Sequence, residues 1–158
     1  MNPGSAEPEG GRGAFTLRLP IRFTHTDPAG IVFFPRFFEM IQATVEDWFS
    51  YGLGINFARF VEDGFGLPTA HTECDFIRPC RLGEFLDIAV TLERIGRSSI
   101  HVAFVGTVGG EERLRARSVL VLFSLTRRKT MPIEGDLRAR LERYRDQGMA
   151  AGPERTRG

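Results

Sequence analysis

The chain has 158 residues, 42% hydrophobic, 26% charged and 11% aromatic, with 21 Lys and Arg against 20 Asp and Glu. That length closes one hydrophobic core without metals or disulfides, and a net charge of +1 lacks the basic excess of a nucleic-acid footprint. No uncharged apolar run approaches the roughly 18 residues that span a bilayer, and Cys74 and Cys80 alone make no disulfide framework; a small soluble cytoplasmic domain is expected.

Residues 1–13 are Gly, Pro and Glu with almost nothing apolar, which predicts a disordered tail and not a signal peptide. Residues 14–23 (AFTLRLPIRF) alternate Phe15, Leu17, Leu19, Ile21 and Phe23 on one face, the pattern of a strand with one side buried. Pro20 cannot donate to a ladder and belongs at an edge or bulge. A turn-rich stretch, THTDPAG, leads into a segment of different period. Phe34, Phe37, Phe38, Ile41, Val45, Trp48 and Phe49 recur at three- and four-residue steps, with Arg36, Glu39, Gln42, Glu46 and Asp47 opposite them. This predicts an amphipathic helix of four to five turns, opened by Pro35 and stopped near Gly52. A short helix over 56–63 follows, capped by Asn56 and ended by Gly64.

Four strands are expected next, over 69–78, 84–95, 99–108 and 112–125, the last two joined by a Gly109–Gly110 turn. Residues 136–145 carry Leu137, Leu141 and Tyr144 at helical spacing, and the chain from 147 to 158 reads as a flexible tail. One α+β domain over 14–146 results. An antiparallel sheet with one apolar face, and one long helix to cover it, is the hotdog arrangement.

The usual catalytic signatures are missing. There is no G-x-S-x-G, no P-loop lysine motif and no G-x-G-x-x-G after a strand. His71, Cys74 and Cys80 lack paired metal-ligand spacing, so no metal is expected. Fourteen Phe against one Trp and two Tyr suit either a well-filled core or a pocket for a flat apolar ligand. Asp27 remains, in the loop ahead of the long helix. It reads equally as an Asp–Pro turn bonding its own backbone and as an acid beside the free N–H groups of a helix start. Such an acid could attack a carbonyl or activate water while those groups hold the developing oxyanion.

The string Asp27-Pro28-Ala29-Gly30-Ile31-Val32-Phe33-Phe34-Pro35, in its strand–loop–helix setting, resembles the 4-hydroxybenzoyl-CoA thioesterase family of hotdog hydrolases. Weaker similarity runs on through Asp75-Phe76-Ile77-Arg78-Pro79 and Gly96-Arg97-Ser98-Ser99 to about residue 126. The resemblance implies hydrolysis of an acyl-CoA, an aryl-CoA such as 4-hydroxybenzoyl-CoA or benzoyl-CoA, without metal or cofactor. It implies Asp27 as nucleophile or general base, the Phe34 backbone N–H polarising the thioester carbonyl, and Gly30 letting the loop pass close by. It also implies a homodimer or homotetramer with active sites at the subunit interface. Phe33 and Phe37 would wall the acyl pocket, with His71 and Glu73 reaching it from a strand. Arg97, Ser98 and Ser99, or Arg127, Arg128 and Lys129, would hold the CoA phosphates. Family members often carry an aromatic hydroxyl where Phe34 stands, a departure that bears on substrate. Two alternatives stay open: a hotdog dehydratase or hydratase acting on hydroxyacyl thioesters, for which His25 lies two residues before Asp27, and a non-catalytic acyl-CoA-binding module.

Overall fold

The computed structural model describes residues 14–150. In chain order these form β1 (Thr16–Pro20), α1 (Pro35–Asp47), α2 (Phe57–Glu62), β2 (Phe65–Gly66), β3 (Thr69–Phe76), β4 (Phe85–Ile95), β5 (Ser99–Val108), β6 (Glu111–Val121), β7 (Phe123–Ser124), β8 (Lys129–Thr130) and α3 (Gly135–Ala150). The main sheet is antiparallel in the order β1-β4-β5-β6-β3, and β2, β7 and β8 make a smaller one. No helix among the described residues is long and apolar enough to cross a membrane.

Alternation along the strands decides which face is buried. Leu86, Ile88, Val90 and Leu92 of β4, Ile100, Val102 and Phe104 of β5, and Leu114, Ala116 and Leu120 of β6 all join one core. The helix α1 covers that face with Phe37, Met40, Ile41 and Val45, and a π-helical turn over Trp48–Gly52 adds Trp48 and Phe49. Each such side chain contributes about 1.5–3 kcal/mol on burial. Thr44, also buried on this stripe, is satisfied by donating from Oγ1 to the Met40 carbonyl at 2.7 Å. At the far side α3 is latched to the sheet by Tyr144, whose hydroxyl donates to the Val90 carbonyl and accepts the Phe15 N–H at 2.9 Å.

Several sequence expectations need correction. Phe23 does not extend β1; the chain leaves the sheet after Pro20, at an edge strand, and Phe23 lies in a 3₁₀ turn, 80% exposed. Phe34 and Phe38 share the period of α1, yet both are exposed, because the sheet covers the helix only from Phe37 onward along the Met40 and Ile41 side. The strand expected over 112–125 is broken at Leu122 into β6 and β7. The terminal helix runs five residues past Arg145 to Ala150, so residues 147–150 of the tail expected over 147–158 are helical; the rest of that tail and the one expected over 1–13 lie outside the described residues. Asn56 caps α2 as expected, accepting the Arg59 N–H at 3.0 Å.

Candidate active site

The loop between β1 and α1 is built from its own backbone. The Arg22 N–H donates to His25 Nδ1 at 2.9 Å and closes the 3₁₀ turn over Phe23–His25. A ring nitrogen that accepts carries no proton, so the bond is made by the neutral form, and desolvation, with Arg22 and Arg36 nearby, lowers the His25 pKa in the same sense. A bridge between Thr26 and Val32 then pinches off the Asp27 loop. Inside it the Asp27 N–H donates to the Ile31 carbonyl and the Gly30 N–H to the Asp27 carbonyl, both at 2.9 Å. The Asp27 side chain accepts the Ala29 N–H through Oδ1 at 2.8 Å. The turn and the chemical role therefore do not compete. One carboxylate oxygen fixes the loop, and the other has no donor among the described residues. Gly30 sits at φ +77, and a Cβ there would meet nothing within 4 Å. What glycine supplies at this position within the described residues is the left-handed backbone conformation.

The start of α1 supplies the second component. The Phe33 N–H is taken by the His25 carbonyl at 2.9 Å, and Pro35 has no N–H to offer. Arg36 and Phe37 donate to the carbonyls of Phe33 and Phe34. The Phe34 N–H has no acceptor among the described residues, and no side chain caps the helix. A free amide at the positive end of a 13-residue helix is a natural host for a carbonyl oxygen gaining charge.

Aromatic rings stand beside this amide. Phe76, near the end of β3, lies 6.0 Å from the Phe34 ring, 5.6 Å from Phe37 and 6.2 Å from Phe38, and Phe34 lies 5.7 Å from Phe33. Phe37 is buried at the base, while Phe33, Phe34 and Phe76 are about half exposed. Sequence reasoning missed Phe76. Its signal was the aromatic in Asp75-Phe76-Ile77-Arg78-Pro79, which alternation puts on the same face of β3 as Cys74, opposite Leu114 of the core.

The remaining expected residues are not gathered here by a single chain. His71 and Glu73 pair with Val119 and Arg117, on the face of the sheet away from α1, and stand 3.9 Å apart with both side chains exposed. Arg97, Ser98 and Ser99 form the β4–β5 turn. The Ser98 carbonyl there accepts the Leu122 N–H, and Ser99 Oγ lies 3.3 Å from His101 Nε2. Arg127, Arg128 and Lys129 follow β7, turned by Arg128 at φ +54. Among the described residues none of these four cations is ion-paired. The Asp27 loop adjoins the opposite end of β4, through Leu82 N–H to the Gly30 carbonyl and the Ile31–Arg81 bridge. The 11 residues of β4 separate the two ends by about 35 Å at about 3.3 Å per residue. Among the described residues no three His, Cys, Asp or Glu gather as metal ligands would.

A sheet laid on one long helix, with an acid in the loop that feeds the helix, defines a hotdog-fold domain, and comparison with known proteins agrees. The chain matches the profile of the Thioesterase-like superfamily over residues 21–141 and belongs to that family. It is 27% identical over 124 residues to a 1,4-dihydroxy-2-naphthoyl-CoA hydrolase from Synechocystis, covering 77% of this chain and 89% of the relative. The crystal structure of a 1,4-dihydroxy-2-naphthoyl-CoA thioesterase from Synechocystis superposes with a TM-score of 0.73 at 24% identity, over 82% of this chain and 96% of that one. A thioesterase from Thermus thermophilus, complexed with coenzyme A and Zn, superposes with a TM-score of 0.70 at 25% identity, over 83% and 94% of the two chains.

Proposed function

We propose that the protein is an acyl-CoA thioesterase of the 4-hydroxybenzoyl-CoA thioesterase kind, hydrolysing an aryl-CoA to the free acid and CoA. The observation that carries this reading is the Asp27 loop, with one carboxylate oxygen unengaged and the Phe34 N–H at the start of α1 without an acceptor among the described residues. The thioester carbonyl accepts the Phe34 N–H. Asp27 then either attacks the carbonyl carbon or takes a proton from an attacking water. The tetrahedral intermediate places its negative charge on the oxygen at the helix start and collapses by breaking the C–S bond, releasing CoA thiolate. On the nucleophilic route water then cleaves the mixed anhydride and restores Asp27. The Phe33, Phe34, Phe37 and Phe76 rings favour a flat acyl group, in keeping with the naphthoyl substrate named for the Synechocystis relative.

The site is completed by a second copy of the chain. Asp27 and Arg97 stand at opposite ends of β4, so a CoA held through the Arg97 turn of one subunit meets the Asp27 loop of another. The outer edge of β3 pairs with nothing among the described residues, and most of the strand is exposed. Bare strand edges of this kind invite pairing with another chain. The dehydratase alternative asks His25 to act with an acid; its Nδ1 closes its own turn, which leaves Nε2 as the nitrogen that chemistry would use.

Incubation with benzoyl-CoA and a thiol-trapping dye tests the activity, because only hydrolysis frees CoA; a dehydratase or a binding module leaves the dye silent. Light scattering on the same sample is expected to give at least twice 17.7 kDa. A fully active sample at the single-chain mass contradicts the shared site.

A further inference from the structure

We infer that Glu84 and Arg113 form a positioning pair that holds the Asp27 loop in its working shape. This rests on the reading of Asp27 as the reacting acid. The loop is held on one side by its own turn and on the other by residues 79–83, which belong to no helix or long strand. That second segment accepts the Val32 N–H at the Cys80 carbonyl (2.9 Å), donates Leu82 N–H to the Gly30 carbonyl (3.3 Å) and bridges Ile31 through Arg81. It is therefore a splint lying along the catalytic loop.

The splint is fastened by one side chain from the start of β6, beside the β5–β6 hairpin. The register between β5 and β6 shifts between Gly106 and Thr107, leaving Arg113 as the extra residue of a bulge. A bulge re-aims the side chain it carries. Arg113 turns inward, only 13% exposed, and its Nη1 donates to the Pro79 carbonyl at 2.6 Å and to Glu84 Oε2 at 2.9 Å. The same Glu84 oxygen accepts the Arg81 N–H at 3.0 Å, and the Arg113 carbonyl accepts the N–H groups of Ile77 and Arg78. Glu111 lies 3.1 Å from Arg113 Nε and also pairs with Arg78. The start of the splint is thus tied to Arg113, and its middle is tied to Glu84, which the same guanidinium holds; its far end is anchored by Gly83 N–H to the Ile21 carbonyl. Each side chain acts through the Cys80 carbonyl and the Leu82 amide on the backbone of the Asp27 loop.

The test pairs a structural readout with kinetics. In Glu84→Ala, amide hydrogen exchange at Val32 and Leu82 is expected to quicken at least about tenfold, with core amides such as Ile100 and Leu120 unchanged. Turnover of benzoyl-CoA should fall about ten- to hundredfold with KM within about threefold, since a small misplacement of a reacting group costs rate before it costs binding. Glu84→Gln, which keeps an oxygen for Arg81 and Arg113, should restore turnover to within about threefold of the parent. Arg113→Lys keeps the charge but loses the planar fork, and its partial loss at Val32 serves where Glu84→Ala does not fold. Asp87→Asn breaks a pair between β4 and Arg18 of β1, away from the splint, and should leave Val32 exchange unchanged. Unaltered exchange and turnover in Glu84→Ala overturn the inference, as does quickened exchange spread equally through the core. If Asp27→Asn turns over normally, the functional reading fails on its own, while Val32 exchange still decides whether the splint exists.

Discussion

Replacing Phe76 examines whether the ring cluster selects the acyl group. Its ring lies within 6.2 Å of three others, those of Phe34, Phe37 and Phe38. Aromatic pairs contribute about 0.5–1.5 kcal/mol each beyond burial. Because Phe76 is 46% exposed, the lower end of that range applies, and Phe76→Ala should cost about 1.5–2 kcal/mol of stability. An aryl substrate seated in the cluster gains one further ring contact, shielded by the substrate itself and so spanning the full range of about 0.5–1.5 kcal/mol, which corresponds to about two- to twelvefold in kcat/KM. Phe76→Leu is the sharper variant, since it keeps apolar bulk and removes only the ring. The assay is thiol release from benzoyl-CoA and hexanoyl-CoA, with thermal unfolding to confirm the fold. The expected result is a fall of about two- to twelvefold in the aryl-to-alkyl ratio of kcat/KM. A ratio that does not move, whether both substrates slow together or neither does, refutes the reasoning.

Burial pushes the Cys74 and Cys80 thiols from 9.0 up to about 11. The unfolded chain loses these protons first, so their contribution to stability is full below about pH 9 and is lost as pH rises toward 11. For Cys80 alone this amounts to about 2 kcal/mol at about pH 10.5. Urea unfolding of the parent and of Cys80→Ala at pH 8 and 10.5 should show the smaller alkaline loss in the variant; parallel profiles contradict the assignment. Arg97→Ala and Arg128→Ala, if either side chain binds CoA phosphate, should raise KM about tenfold or more with kcat kept. Added salt should mimic part of the effect, and unchanged KM and salt response in both variants remove these residues from phosphate binding.

The order of elements was legible because each rests on short-range physics. Pro35 opens α1, Asn56 caps α2, and the alternation of β5 and of β4 as far as Leu92 marks their buried faces. Periodicity could not tell which part of a helical stripe the sheet reaches, and so it put Phe34 and Phe38 in the core. It likewise put His71 and Glu73 on one face of β3 without saying which; pairing with β6 turns them away from α1. Within the candidate site the Asp27 loop was legible as a contiguous string. Phe76 was not, being 42 residues beyond Phe34 and joined to it only by the packing of β3. Arg113 and Glu84 were still less visible, because a bulge in β6, which no local pattern announces, is what aims one at the other.

The central claim is that Asp27 performs the chemistry, and Asp27→Asn tests it most directly. Asn can still accept the Ala29 N–H that shapes the loop, but it is neither a nucleophile of comparable strength nor a base. Steady-state hydrolysis of benzoyl-CoA, with thermal unfolding to show the fold intact, should give turnover reduced about a hundredfold or more and KM largely kept. Turnover close to that of the parent, in a folded sample, would contradict the account.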